Sequence, residues 1–346
     1  MIPHSRPTLT DADAEAVARV VRSGFVAQGA EAERFEAALA ARFGTAAAAV
    51  VSSGTAALEL ALRALEVGAD DEVVIPTYAC DALYHAVVRA GATPVLADAD
   101  PDTLSIAVDD AKRHLTGRTR CLIVPHAFGL AVDLRPILAF GLPVVEDCAQ
   151  TVGAVINGAP VGSGGRLAVG SFYATKLFTS GEGGVVAGPL ELIARVRDGR
   201  DYDQREDLAP RFNYKMTDLQ AALGRSQLAR LDEFVRRRRA IAARYRSALA
   251  GARCRVPDET GARHVYHRFV VALDRPLEPI IERLARTGVA ARRPVFRPIH
   301  RALAGTGYPE AERCWRERLS LPCYPSLTDA EVDAVAIALR GALEAA

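Results

Sequence analysis

Three stretches of this chain carry residue types that could do chemistry. Ser52-Ser53-Gly54-Thr55 stands between a run of small apolar residues and a helical pattern. Backbone N–H groups at a helix start, together with the positive end of the helix dipole, form a ready anion site, and the hydroxyls can add hydrogen bonds. Ordinary N-capping by Ser53 or Thr55 accounts for the same residues. In Val144-Val145-Glu146-Asp147-Cys148-Ala149-Gln150 a carboxylate follows an apolar strand directly, at the end where α/β proteins place ligands. Metal ligand, helix cap and cofactor partner all stay open for Asp147 on this segment alone. Gly170-Ser171-Phe172-Tyr173-Ala174-Thr175-Lys176 then sets a lysine between a strand and a loop rich in hydroxyls and glycine, residues 179–184. Desolvation or a nearby cation would make that lysine a nucleophile, whereas a solvated loop lysine is the plain alternative.

The combination narrows the chemistry. An anion cradle, a strand-end aspartate and a loop lysine, in that order, are what pyridoxal 5′-phosphate (PLP) requires. The phosphate needs the cradle, the ring nitrogen needs a carboxylate to stay protonated, and the aldehyde needs a lysine. Other candidates point less sharply. His126, in Pro125-His126-Ala127-Phe128-Gly129, ends a strand and is either a pocket residue or a structural one. Arg292, Arg293, Arg297 and His300 form a basic cluster that suits an anionic substrate or is ordinary structural and surface charge. His264 and His267 form H-x-x-H, but on a strand that spacing puts them on opposite faces, so no metal pair is expected. Gly162-Ser163-Gly164-Gly165 lacks the strand–helix context of a dinucleotide fingerprint, and residues 236–239, four arginines, read as solvated surface.

The elements that must position these residues show in the rhythm of the sequence. Short apolar runs near 46–51, 72–75, 93–97, 120–125 and 143–146 alternate with helical patterns, which predicts a mainly parallel sheet covered on both faces. Val155-Ile156-Asn157-Gly158 predicts a hairpin tip, and further strands are expected at 167–172 and 184–187. One long helical pattern spans 217–250 and leads to an α+β unit. The expected division is a large α/β domain over residues 1–240, including the N-terminal segment, and a small domain over 241–346. The chain has 346 residues, half of them hydrophobic, and 43 basic against 42 acidic side chains. Disorder, a membrane span and a global attraction to nucleic acid are therefore not expected. Six scattered cysteines without C-x-x-C argue for reduced thiols, for no metal site and, with no signal-like start, for the cytoplasm.

Five segments in order resemble the DegT/DnrJ/EryC1/StrS family of PLP-dependent aminotransferases, many of which act on nucleotide-linked keto sugars. They are SSGTAAL (52–58), GATPVLADAD (91–100), VEDCAQTVGA (145–154), SFYATKLFTSGEGG (171–184) and FNYKMTDLQAALGRSQL (212–228). The resemblance implies fold type I, the aspartate aminotransferase-like architecture, with a large α/β domain, a small C-terminal α+β domain and a homodimer with shared active sites. It makes Lys176 the lysine that carries PLP and Asp147 the partner of the ring nitrogen. Gln150 lies beside the phenolic oxygen, Ser53, Gly54, Thr55 and Ser171 form the phosphate cradle, and Asn213 reaches the phosphate of the neighbouring subunit. Two positions depart from the family pattern. Cys80 occupies the place of the ring-stacking aromatic, and N-Y-R-M is here Asn213-Tyr214-Lys215-Met216. The implied activity is transfer of an amino group, from L-glutamate, to the keto group of a nucleotide-linked sugar or a related cyclitol. A PLP enzyme of another reaction type in a natural-product pathway and a cofactor-free regulatory homologue are the alternatives.

Overall fold

The apolar runs between residues 47 and 188 fold as strands of one sheet. The computed structural model describes residues 1–258 and 261–344. Helices α1 (Asp11–Ser23) and α2 (Ala30–Phe43) precede β1 (Ala47–Val51). Helix and strand then alternate through α3 (Gly54–Ala64), β2 (Glu72–Pro76), α4 (Ala82–Ala90), β3 (Thr93–Ala97), α5 (Val108–Arg113), β4 (Thr119–Pro125), α6 (Arg135–Leu138) and β5 (Val144–Asp147). A hairpin of β6 (Val155–Ile156) and β7 (Ala159–Pro160) leads to β8 (Leu167–Ser171), β9 (Gly184–Gly188) and α7 (Leu190–Gly199).

Among the described residues the main sheet has seven strands in the order β1-β9-β8-β5-β4-β2-β3. Strand β9 is antiparallel to both neighbours and the remaining pairs are parallel. Alternation along β1 shows how both faces are covered. Ala47, Ala49 and Val51 join a core with α3, α4 and α7, whereas Ala48 and Val50 join one with α2 and the later helices. The hairpin tip has the expected chemistry: Asn157 (φ 52°) and Gly158 (φ 79°) both take left-handed conformations, as a tight two-residue turn requires.

The long helical pattern is two helices, α8 (Asp218–Ala229) and α9 (Leu231–Ala248), joined at Arg230. Arg230 leaves helical geometry (φ −100°, ψ 2°) with no proline or glycine to mark the break, so apolar spacing alone reads through it. Helix α9 serves two cores. Leu231, Phe234 and Val235 pack with α2 and the sheet, while Ile241, Ala242 and Tyr245 pack in a second core. That second core takes in β10 (Phe269–Ala272), α10 (Glu278–Arg286), β11 (Arg318–Leu321) and α13 (Asp329–Glu344), with α11 (Ile299–Ala302) and α12 (Pro309–Glu317) between. Arg238 is not on a solvated surface. It lies at helical spacing between Val235 and Ala242, is buried, and donates to the carbonyl oxygens of Tyr266, His267 and Cys323. The first residues also depart from the expected division, because Ile2 bridges Val289 and His4 reaches Ser320, both in the C-terminal unit. Among the described residues no helix is long and apolar enough to cross a membrane.

Candidate active site

The C-terminal edge of the sheet gathers the residues that the sequence singles out. Val51 of β1 pairs with Gly184, which pairs with Ser171 at the end of β8; β5 lies next and ends at Asp147. Ser53 is the extended N-cap of α3, and its Oγ accepts the Ala56 N–H at 3.1 Å. The capping role is therefore real, and it leaves the N–H groups of Gly54 and Thr55 without an acceptor among the described residues. A Cβ on Gly54 would come within 2.8 Å of Ser171 Cβ, and one on Gly184 would overlap the Ser53 carbonyl oxygen. These two glycines hold the helix start, with its free N–H donors, against the strand end that carries the Ser171 hydroxyl.

A cavity of about 300 Å³ opens beside this edge, lined by Asp147, Gln150 and Lys176, by Cys80 after β2, and by residues 294–297 of the C-terminal unit. Lys176 sits in a loop closed on itself. Phe172 N–H donates to Gly183 O, Ser180 N–H donates to Phe172 O, and Thr179 Oγ1 donates to that same oxygen. The loop hydroxyls thus tie down the lysine's support. Burial lowers the Lys176 pKa, opposed by the nearby Asp147 and Cys80. Burial raises that of Asp147, opposed by the Ala149 N–H at 3.0 Å and by the Lys176 charge. Gln150 uses its Oε1 to accept the Phe128 N–H at 2.7 Å, which holds Phe128 in a left-handed conformation (φ 54°) on the cavity wall.

Behind Asp147 lies a buried carboxylate. Glu146 accepts the N–H groups of Gly162 (2.9 Å), Gly164 (2.7 Å) and Gly165 (2.5 Å) and a bond from His126 Nε2 (3.0 Å). Burial pushes Glu146 up, but the His126 and glycine hydrogen bonds outweigh it and hold the carboxyl below the ordinary range. His126 Nδ1 accepts the Val132 N–H, which assigns the proton to Nε2. The glycine-rich 162–165 segment is thus a cradle for a carboxylate of this chain. Cys148 lies with His126 and Glu146 inside a 4.8 Å cluster, but the His126 nitrogens and the Glu146 oxygens are already engaged there.

Several expected site residues fall elsewhere. His126 is fully enclosed and does not line the cavity, because both ring nitrogens are held from behind. The basic cluster is dispersed. Arg297 reaches the cavity and Arg292 is exposed away from it. Arg293 pairs with Glu278 at 2.6 Å and stacks on Trp315, and His300 is buried between Thr77 and Glu312. Asn213 is exposed on the segment that bridges Val51 through Lys215, outside the chain's own cavity. Among the charged and imidazole-bearing residues that line the cavity, Asp81, His267 and Arg268 were not expected there. The H-x-x-H pattern brought up His267 only as half of an unexpected metal pair, and nothing marked the arginine after it. A larger cavity of about 490 Å³ adjoins on the far side of Phe128 and Arg268; it contains neither Asp147 nor Lys176.

The donor set fits PLP. The cradle that a Cβ would fill suits its phosphate, Asp147 is a half-buried carboxylate suited to a cationic ring nitrogen, and Lys176 is an amine in the same cavity whose pKa burial lowers. A family model described as the DegT/DnrJ/EryC1/StrS aminotransferase family matches residues 7–340. GDP-perosamine synthase of Vibrio cholerae is 33% identical over 357 residues, covering 96% of each chain. The aminotransferase TlmJ of Streptoalloteichus hindustanus superposes with a TM-score of 0.95 at 33% identity, over 100% of this chain and 99% of that one. The PLP-form of Spr1654 from Streptococcus pneumoniae superposes with a TM-score of 0.93 at 28% identity, over 99% of both chains.

Proposed function

Given that this chain belongs to the DegT/DnrJ/EryC1/StrS aminotransferase family and is a PLP-dependent enzyme of fold type I, we propose that it moves an amino group from L-glutamate to the keto group of a nucleotide-linked sugar. The observation that carries the site assignment is the meeting of Asp147 and Lys176 in one cavity, next to the Gly54–Ser171 cradle. PLP supplies, when bound, the electron sink that makes a proton on the donor's Cα removable.

The chain's residues do the rest. The Gly54 and Thr55 N–H groups and the Ser171 hydroxyl bind the phosphate at the positive end of α3. Asp147, kept from water, holds the positive charge of the ring nitrogen. Lys176 Nζ carries the cofactor at rest, and its lowered pKa suits it to take up and return the Cα proton. Gln150, fixed through its oxygen, offers its amide N–H groups to the phenolic oxygen. Cys80 packs against the cofactor where relatives stack an aromatic ring. The nucleotide-linked acceptor is favoured by the GDP-perosamine synthase relative. Arg297 at the cavity supplies a cation for such an anion.

The active site is also shared across a homodimer on this reading. Tyr173 and Phe296 line the cavity yet are 47% and 90% exposed, an apolar rim that a second copy would cover. Asn213 of one copy would then reach the phosphate of the other. The test is a two-step assay of the holoenzyme. L-glutamate should convert bound PLP to the pyridoxamine form with release of 2-oxoglutarate, and one of a panel of nucleotide-linked keto sugars should return it. A holoenzyme that accepts glutamate but returns to the PLP form only with keto acids would overturn the sugar assignment.

A further inference from the structure

A carboxylate stands inside the helix that opens with the phosphate cradle. Glu59 lies on α3 among Leu58, Leu60, Ala61 and Leu62, and only 1% of it is exposed. A charge in such a place is costly to desolvate, and an apolar side chain would fill it without that cost. Three groups meet its oxygens, from α3, from α4 and from the segment that follows Arg211. Arg63 Nε donates to Oε1 at 3.2 Å, while Arg89 Nε and the Tyr214 hydroxyl donate to Oε2 at 2.8 and 3.1 Å. Arg89 Nη2 also donates to the Tyr214 oxygen. Both arginines are partly exposed, so the ion pairs contribute little stability of their own. What the network fixes is the place of the Tyr214 hydroxyl.

Tyr214 in turn fixes the backbone around Asn213. Its ring stacks on that of Phe212, with 4.7 Å between centroids and 5° between planes. The Arg63 guanidinium lies 4.9 Å from the Phe212 ring and that of Arg89 lies 6.0 Å from the Tyr214 ring. The segment is extended: Phe212 N–H donates to Gly199 O, Tyr214 N–H to Arg200 O, and Ser52 N–H to Tyr214 O. Side chains alternate on extended backbone. With Phe212 and Tyr214 packed on the core around α3, Asn213 is presented on the opposite face, where it is exposed. Lys215 follows on that face and pairs with Asp201 at 2.6 Å.

We propose that Glu59 is a positioning residue for the cofactor site of the neighbouring subunit. By pinning the Tyr214 hydroxyl it holds Asn213 where the phosphate bound in the other copy can meet it. This rests on the shared-site reading and deepens it. Stacking on Phe212 sets the plane of the Tyr214 ring, and the hydrogen bonds to Glu59 and Arg89 set its place within that plane. A hydrogen bond from an amide to a phosphate is directional, so its strength depends on where the amide is held. Helix α3 then serves both sites of a dimer. Its free N–H groups face the phosphate of its own subunit, and Glu59, in its second turn, sets the arm that completes the other.

The experiment titrates full-length apo-protein with PLP, read by the absorbance of the lysine-bound cofactor, with thermal melting to verify folding. The proteins are wild type, Glu59→Gln, Tyr214→Phe, Asn213→Ala and the two doubles that add Asn213→Ala. Asn213→Ala should raise the Kd for PLP about tenfold or more, the equivalent of one charge-assisted hydrogen bond. Glu59→Gln and Tyr214→Phe leave that bond present but misplaced, and each should raise the Kd about threefold to tenfold. Neither should add to Asn213→Ala, because an absent amide cannot be positioned. Additive effects, or an unchanged Kd in both single variants, would overturn the proposal. Mixed dimers carrying two tags show on which subunit Glu59 acts. Where Lys176→Ala and Glu59→Gln share a subunit opposite a wild-type one, the remaining lysine site should bind PLP more weakly by the same factor. Where Glu59→Gln stands opposite Lys176→Ala, the lysine site should bind as in wild type. The reverse pattern would assign Glu59 to the cradle of its own subunit and overturn the proposal too. If Glu59→Gln fails to fold, Tyr214→Phe, which keeps the ring, decides the question in the same dimers. An Asn213→Ala protein with wild-type Kd would sink the shared-site reading and the proposal with it. A weakened Asn213→Ala without the coupling to residues 59 and 214 would sink the proposal alone.

Discussion

At the scale of single residues, the site divides into groups that face the ligand and groups that brace them from behind. Glu146 belongs to the second kind. Oε1 accepts from Gly164 and Gly165, and Oε2 from Gly162 and His126, so its two oxygens are filled. In Glu146→Gln one oxygen becomes an NH₂ facing two donors, either the Gly164 and Gly165 N–H groups or the Gly162 N–H and His126. Stability should fall by about 1–3 kcal/mol, the usual cost of leaving buried hydrogen-bonding groups unsatisfied, measured by urea unfolding. The pH dependence has a definite sign. The folded pKa lies below the reference of 4.5, so the contribution is fully present above that value and disappears as pH falls through the lower folded pKa. Wild type should therefore lose more of its stability than the variant on acidification below about 4.5. Equal losses would show that Glu146 does not carry the effect. Asp147→Asn, by contrast, should leave unfolding nearly unchanged, because burial already raises the carboxyl pKa, yet slow transamination by orders of magnitude. Steady-state turnover beside the same urea curves separates the two neighbours.

The elements explain why small residues stand where they do. Gly54→Ala would push a Cβ to 2.8 Å from Ser171 and part the helix start from β8. PLP affinity should drop tenfold or more, the equivalent of one charge-assisted hydrogen bond, in a cofactor titration of the apo-protein. Gly68→Ala, whose Cβ would meet open space, should leave that affinity unchanged and serves as the control. Much of this level was legible in the sequence. Apolar runs with turn residues between them located the strands, because parallel strands covered on both faces need such runs. Cradle, aspartate and lysine were legible because each follows a strand end, a place periodicity can find. What stayed hidden depends on packing between distant segments. Arg238 looks like its exposed neighbour Arg236, and only the approach of residues 266, 267 and 323 makes it a buried hub. His126 and His300 look like pocket residues until Glu146 and Glu312 claim them. Arg268 had no local signal at all, since its meaning comes from a cavity built by two units.

At the scale of the whole molecule, a single chain leaves features that point outward. Phe25 and Leu208 are 82% and 102% exposed, in line with the apolar cavity rim at Tyr173 and Phe296. Asn213 lies on the outer side of β1, on the segment whose Tyr214 carbonyl accepts the Ser52 N–H at 2.7 Å. If Asn213 completes the partner's phosphate site, PLP binding must also stabilise the dimer by linkage. Complementation tests the sharing directly. Lys176→Ala removes the amine from its own subunit's site. Asn213→Asp sets a carboxylate against the phosphate of the other subunit's site, a like-charge contact strong enough to empty it. Each homodimer should then be inactive. In a heterodimer one site carries both lesions and the other carries neither. Random exchange of equal amounts makes half the dimers mixed, so about a quarter of all sites, and of wild-type turnover, should return under the two-fold symmetry expected of such a pair. Subunit exchange is verified separately by mass spectrometry of differently tagged chains. Recovery near that fraction requires Asn213 and Lys176 to act from different subunits. No recovery despite proven exchange would put Asn213 in its own subunit's site, on the edge of β1 where its backbone already runs beside Ser52.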